Sequence, residues 1–241
     1  VCSSAALALA RRGKRGLLIE RRYCGAQASG GNYGGVRCQG RPAEQLPLAM
    51  RARRIWDRLG DTIGVDGEFV VSGHLRLARS EADLAGLEAY AQVAAQHGLP
   101  LQLMSGASFR RRYPWLGAAA VGGSLCATDG HANPRLVSPA FARAAREAGA
   151  QVRELTALEK ADYDGARFVL QAGDETYEAD WLINAAGAWA GTLAQRFGDL
   201  VPMTPIYPNM WVTEPLPLFL EHNLGVFGGG LYARQVARGN C

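Results

Sequence analysis

The sequence predicts a mixed α/β fold with a parallel, βαβ-type unit. Three observations carry this expectation. An alanine-rich helical stretch, Ser3 to Arg12, is stopped by Gly13 and runs straight into Gly16-Leu17-Leu18-Ile19-Glu20, apolar on both faces as buried parallel strands are. A second apolar run, Trp181 to Asn184, ends in the small-residue turn Ala185-Ala186-Gly187, which opens another helix. The rest alternates short strands with helices and glycine- or proline-marked turns.

Taken in order, Gly25 to Gly40 carries six glycines and neither helical nor strand periodicity, so it reads as a loop. Leu48, Ile55, Trp56 and Leu59 restore a helical pattern. Glu68 to Ala78 reads as two short strands around Gly73, and Ser80 to Gln96 as a helix opened by a Ser-Glu-Ala-Asp cap and closed before Gly98. A short helix is expected near Phe109 to Leu116, a strand at Val121 to Leu125, and a turn at Asp129-Gly130-His131-Ala132-Asn133-Pro134. Leu136 to Ala148 is helical up to Gly149. Strands are expected at Val152 to Leu155, Phe168 to Gln171, Thr176 to Glu178 and Trp181 to Asn184, then at Trp211 to Pro215 and Gly230 to Gln235.

At 241 residues and 48% hydrophobic content, the chain can bury a sizeable core. No apolar run approaches the ~20 residues that cross a bilayer, so no transmembrane segment is expected. Five cysteines (Cys2, Cys24, Cys38, Cys126, Cys241) lack the spacing of a metal or redox pair, which points to a reducing, cytoplasmic setting and no metal. The net charge of +4 arises from arginines interleaved with apolar residues at helical spacing, a solvated face rather than a nucleic-acid surface.

Glu20 is the first chemical clue. In Rossmann-like βαβ units a helix N-terminus holds a pyrophosphate, and an acid about 20 residues later takes the ribose hydroxyls. Glu20 stands at that distance from Cys2, and the turn at Ala186-Gly187 would let backbone approach a phosphate closely. Two such turns suggest one cofactor held by two segments.

Four segments then resemble a known family: Ala6 to Gly13 leading to Leu18-Ile19-Glu20-Arg21; Ala28-Ser29-Gly30-Gly31-Asn32-Tyr33-Gly34-Gly35-Val36-Arg37; Asp129 to Pro134; and Leu182-Ile183-Asn184-Ala185-Ala186-Gly187-Ala188-Trp189. Together they resemble the FAD-dependent amine oxidoreductases, which include D-amino-acid oxidases and dehydrogenases, glycine oxidase and sarcosine oxidase with its beta subunits. Within that family, Gly34 to Arg41 with the Asp129 motif is most similar to the beta subunits of opine and hydroxyproline dehydrogenases.

The resemblance implies a Rossmann-like, glutathione-reductase-type FAD-binding domain over residues 1–45 and 120–200, interleaved with an α+β substrate domain built on an antiparallel sheet over 46–119 and 201–241. It also implies oxidation of an amino acid or secondary amine at the carbon next to nitrogen. It implies that Glu20, with Arg21 beside it, meets the adenosine ribose, that Ala28 and Ser29 lie by the pyrophosphate and flavin, and that Gly34 and Gly35 run along the ring. Leu158 would contact the adenine edge, and Ala186 and Gly187 the phosphates and sugar. Electrons would pass to oxygen or to an electron-accepting partner subunit. Against the family pattern, Cys2 stands where the third fingerprint glycine is expected, and the first strand and a closing glycine-rich segment lie outside the sequence. The expectation is therefore a fragment, lacking both termini, of a protein on the order of 370 residues.

A substrate carboxylate calls for an arginine, whose parallel donors match it. Arg234 is the first candidate and Arg37 the second, with Tyr232 and Tyr207 flanking the substrate. His74 and His131 read as structural hydrogen-bonders, since no serine or cysteine pairs with a histidine in motif spacing. The alternatives left open are an inert fragment of such an enzyme and a different flavoprotein such as an aromatic hydroxylase.

Overall fold

The structure is a computed structural model that describes residues 1–241. The elements follow as α1 (Cys2–Ala10), β1 (Leu17–Ile19), β2 (Gly35–Val36), α2 (Leu46–Trp56), α3 (Leu59–Ile63), β3 (His74–Ala78), α4 (Glu81–Gln96), β4 (Gln102–Ser105), α5 (Gly106–Arg112), β5 (Gly122–Cys126) and β6 (Gly130–His131). Beyond these come α6 (Pro134–Glu147), β7 (Gln151–Arg153), β8 (Leu158–Tyr163), β9 (Phe168–Ala172), β10 (Glu175–Ala179), α7 (Ala190–Gln195), β11 (Asn223–Val226) and β12 (Tyr232–Ala233). No helix is long and apolar enough to cross a membrane. Two compact units emerge, one of residues 1–32, 60–66 and 134–209, the other of 33–59, 67–133 and 210–241.

In the first unit β1 pairs in parallel with β7, and Leu18 lies opposite Val152. Helices α1 and α6 pack together, with Leu7 of α1 and Val137, Ala140, Ala144 and Ala145 of α6 buried. Small residues suit this helix pair because they let the two backbones approach closely. Glu154, just past β7, accepts the Cys24 N–H at 2.6 Å and the Arg146 guanidinium at 2.7 Å. Burial raises its pKa, but these two donors outweigh that effect and leave the carboxyl below its ordinary range. The same unit carries the antiparallel meander β8-β9-β10.

The second unit is built on a five-stranded sheet of order β12-β11-β3-β5-β4. It is not purely antiparallel: β11 runs parallel to β3, matching Leu224 to Leu75. A hairpin forces neighbours antiparallel, whereas β11 is separated from β3 by a long intervening chain and escapes that constraint. Alternation along β3 divides the sheet faces. Leu75 and Leu77 turn to a core of Phe109, Tyr113 and Ala120, while His74 and Arg76 turn to the opposite face. Each fully buried side chain such as Phe109 contributes roughly 2–3 kcal/mol. Helix α4 starts as its sequence predicts, with Ser80 Oγ accepting the Asp83 N–H.

Three expected strands are absent. Residues 181–186 form no ladder: no strand pairs with them, and Trp181 and Ile183 are 87% and 58% exposed. Apolar β-formers without a neighbour cannot satisfy their backbone groups as a strand. Trp211 to Pro215 likewise joins no ladder, although the Thr213 N–H donates to Cys241 O at 3.1 Å, and the strand expected before Gly73 is reduced to a single bridge between Val70 and His131. Conversely β4 and β8 were not anticipated, because Gln102 to Ser105 and Leu158 to Tyr163 are mostly polar and solvent-facing.

Candidate functional site

In the first unit, β1 delivers Glu20 to its C-terminal end, where the Glu20 N–H donates to Arg153 O and its carbonyl accepts the Thr156 N–H. The Glu20 carboxylate accepts the Arg22 N–H at 2.9 Å, so the acid is held at the strand end. Arg21 lays its guanidinium 3.7 Å from the centroid of the Trp189 ring. The turn at 185–189 is thereby tied to the β1 end, and Cys2 Sγ at the start of α1 lies 3.5 Å from Ala185 O. Gly187 has φ of +59°, and a Cβ there would meet nothing within 4 Å. The turn therefore needs glycine for its backbone and presents an open face. Three of the sequence-derived candidates, Glu20, Arg21 and Gly187, are brought together with α1, and Ala186 lies in the same turn.

Ala28 and Ser29 sit in the loop after β1. Both carbonyls accept from Asn32 Nδ2, and Ser29 O also accepts from Ser138 Oγ of α6 at 2.8 Å. The Ser29 side chain is exposed. Leu158 opens β8 opposite Ala172, within the meander.

The remaining candidates belong to the second unit. Gly34, at φ +79°, runs against Ala132 O, and a Cβ would also lie 3.0 Å from Arg234 Nη1, so any side chain would displace this contact. Gly35 pairs with His131, joining β2 to β6. Arg234 donates to Ala132 O at 2.9 Å and lies 5.8 Å from the Tyr33 ring centroid, and the Tyr33 and Tyr232 rings are 6.1 Å apart. Gly34, Tyr232 and Arg234 therefore gather around Tyr33. Arg37 donates to Gln39 O at 2.6 Å. Tyr207 belongs to the first unit and is exposed.

Tyr33 is a residue whose role sequence reasoning missed. Its hydroxyl is buried and has no hydrogen-bond partner, and burial pushes its pKa up to about 12 against the opposing pull of Arg234 and Arg37. It is a protonated donor with nothing in the protein to donate to. A tyrosine in a glycine-rich segment gives no such signal, since its burial depends on residues far along the chain.

The Asp129 motif has a structural explanation. The Asp129 carboxylate, fully buried, accepts the Cys38 and Gln39 N–H groups at 2.7 and 3.0 Å and so shapes the Arg37 to Gly40 loop. His131 Nδ1 bonds Asn223 Oδ1 at 2.9 Å, with Ser72 Oγ at 3.2 Å, and its pKa is lowered by burial and by Arg234. His131 is the hydrogen-bonder its sequence suggested. His74 is not: it is 2% exposed, neither ring nitrogen has a partner, and burial, with Arg37 and Arg76 nearby, drives its pKa down to about 3. The closed sheet face leaves it neutral and without a mate.

Comparison with known proteins agrees with this geometry. The profile of the family described as FAD dependent oxidoreductase matches residues 1–241. Glycine oxidase of Geobacillus kaustophilus is 27% identical over 219 residues, which span 87% of this chain and 58% of that enzyme. The 4-methylaminobutanoate oxidase (formaldehyde-forming) of Paenarthrobacter nicotinovorans is 29% identical over 189 residues, 78% of this chain and 23% of that enzyme. The chain thus spans less than two thirds of the length of these relatives. The crystal structure of the Geobacillus kaustophilus glycine oxidase shares the fold with a TM-score of 0.84 at 24% identity, covering 99% of this chain and 66% of that one. A mixed α/β architecture, a helix start and acid-bearing strand end tied to a glycine turn, and a profile match along the whole sequence lead to one conclusion: the chain belongs to the FAD-dependent oxidoreductase family that includes glycine oxidase.

Proposed function

We propose that the protein carrying this chain oxidises an amino acid or a secondary amine, with the first unit as a Rossmann-like FAD-binding domain and the second as the substrate domain. The observation that carries the reading is the convergence, within the first unit, of the α1 start, Glu20 and the Arg21-clamped turn at Gly187. These residues fit a dinucleotide: a helix N-terminus suits a pyrophosphate, the acid suits ribose hydroxyls, and the open glycine admits a phosphate or sugar. Ala28, Ser29, Leu158 and Ala186 are the further residues assigned to holding it, with Gly34 and Gly35 assigned to the flavin ring.

When bound, the flavin accepts the hydride from the carbon that bears the amine. The chain's own residues bind and orient. Arg234 spends one donor on Ala132 O and keeps others for a substrate carboxylate. The protonated, partnerless Tyr33 hydroxyl supplies a second donor beside it, and the Tyr232 ring flanks the same place. Arg37 is the alternative carboxylate ligand. Hydride leaves most readily from a neutral amine, so turnover should rise with pH through the pKa of the bound amine.

Absorption spectroscopy of the full-length protein tests this reading. A bound flavin that bleaches anaerobically with an amino acid or secondary amine supports it. A protein that takes up no FAD, or whose flavin is reduced by NADPH and by no amine, overturns it in favour of an inert protein or a hydroxylase. An electron-accepting partner subunit is part of the proposal if the bleached flavin is reoxidised slowly by oxygen.

A further inference from the structure

Arg76 was not a candidate from sequence, and its surroundings give it a role. Its register on β3 sets it opposite Gly225 of β11 and Ser124 of β5, and Tyr232 of β12 faces Gly225 in turn. Paired residues share a sheet face, so Arg76, Tyr232 and the gap at Gly225 lie on the face away from the Leu75 and Leu77 core. The Arg37 to Gly40 loop meets the same face, since Gln39 Nε2 bonds both Ser124 O and Ser124 Oγ. The two guanidiniums converge there: a Cβ built on Gly40 would lie 3.0 Å from Arg76 Nη1 and 3.2 Å from Arg37 Nη1.

Neither arginine is matched by an acid. Arg76 rests 4.9 Å from the Phe227 ring centroid, and Arg37 donates to Gln39 O; neither forms an ion pair. Asp129, the carboxylate whose field reaches Arg37, is committed to the Cys38 and Gln39 amides. His74, two residues before Arg76 on the same face, is buried with both ring nitrogens unpartnered, and its Nε2 borders the Gly225 gap. Burial and the neighbouring Arg37 lower the Arg76 pKa, which marks the pair as mutually repelling. Two like charges held together with no acid are a cost to the fold that a bound anion removes.

We propose that Arg37 and Arg76 form a second carboxylate site, so that the substrate is an amino acid or N-substituted amino acid bearing two carboxylates. The inference rests on the amine-oxidation reading. Arg234 and Tyr33 take one carboxylate of the substrate, and the Arg37 and Arg76 pair takes the other. Arg37 is then the ligand of the second carboxylate rather than a rival to Arg234. A phosphate would satisfy the same pair, so the probes must separate the two.

The test is titration calorimetry on the full-length, FAD-loaded protein with glutarate, butyrate and inorganic phosphate. One added charge-assisted carboxylate contact predicts glutarate binding about 30-fold tighter than butyrate. Arg76→Gln and Arg37→Gln should each cut that preference to a few-fold, and Arg76→Lys should recover part of it. The exposed Arg79→Gln is the control and should keep the preference. No glutarate preference, a preference that survives both Gln variants, or phosphate binding as tightly as glutarate with the same Arg76 dependence would overturn the proposal. Anaerobic bleaching separates it from its parent reading. A flavin reduced by sarcosine or glycine without any dicarboxylate preference sinks only this inference, whereas a flavin reduced by no amine sinks the amine-oxidation reading.

Discussion

Replacing His74 by Phe removes a buried titratable group while keeping a planar ring, and its consequence can be worked out from the structure. His74 has a folded pKa of about 3, against about 6.5 in an unfolded chain. Between those values the unfolded state binds a proton that the folded state refuses. The stability associated with neutral His74 is therefore fully present above about pH 6.5 and is lost as pH falls toward 3. At about 1.4 kcal/mol per pH unit, wild type should lose about 2.6 kcal/mol from this group between pH 7.5 and 4.5. His74→Phe should not lose it. Any overpacking in the variant costs about 1–3 kcal/mol, but at every pH alike, so the change in the difference isolates the titration. Urea unfolding followed by circular dichroism at both pH values is the assay. Wild type and variant losing stability in parallel would refute the assignment of His74 as buried, unpartnered and neutral.

Gly34→Ala should destabilise the protein by about 3 kcal/mol, combining left-handed strain with the clash against Ala132 O, and a thermal melt should register it. Because Arg234 is the next atom met, the same variant should also weaken carboxylate binding. Arg21→Ala should raise the Kd for FAD about three- to fivefold by releasing Trp189, as measured by flavin fluorescence, whereas Arg21→Lys should fall in between. Burial pushes the thiols of Cys24 and Cys38 up to about 11 and that of Cys126 up to about 12. Iodoacetamide at pH 8 should therefore label the half-exposed Cys2 and Cys241 and spare the other three until urea is added, as counted by mass spectrometry.

Local pattern alone determined a good deal about this protein. The helix and strand around Gly13, the acid at the end of β1, the capped α4 and the Ala185 to Gly187 turn each depend on neighbours within a few residues, and the glycine-rich and small-residue segments carried the family resemblance. The histidines and arginines were another matter. His131 and His74 look alike in sequence, yet one finds Asn223 of β11, 92 residues away, and the other finds nothing. Arg76 sits in a short amphipathic strand and gives no sign of its role until register sets it beside Tyr232 and the Arg37 loop settles over it. Periodicity called for a strand at Trp181, but pairing is a property of two segments, and no second one lies beside it. Contacts of short range were legible because propensity and turn chemistry act over a few residues. Burial, charge pairing and strand direction were decided only when distant segments met.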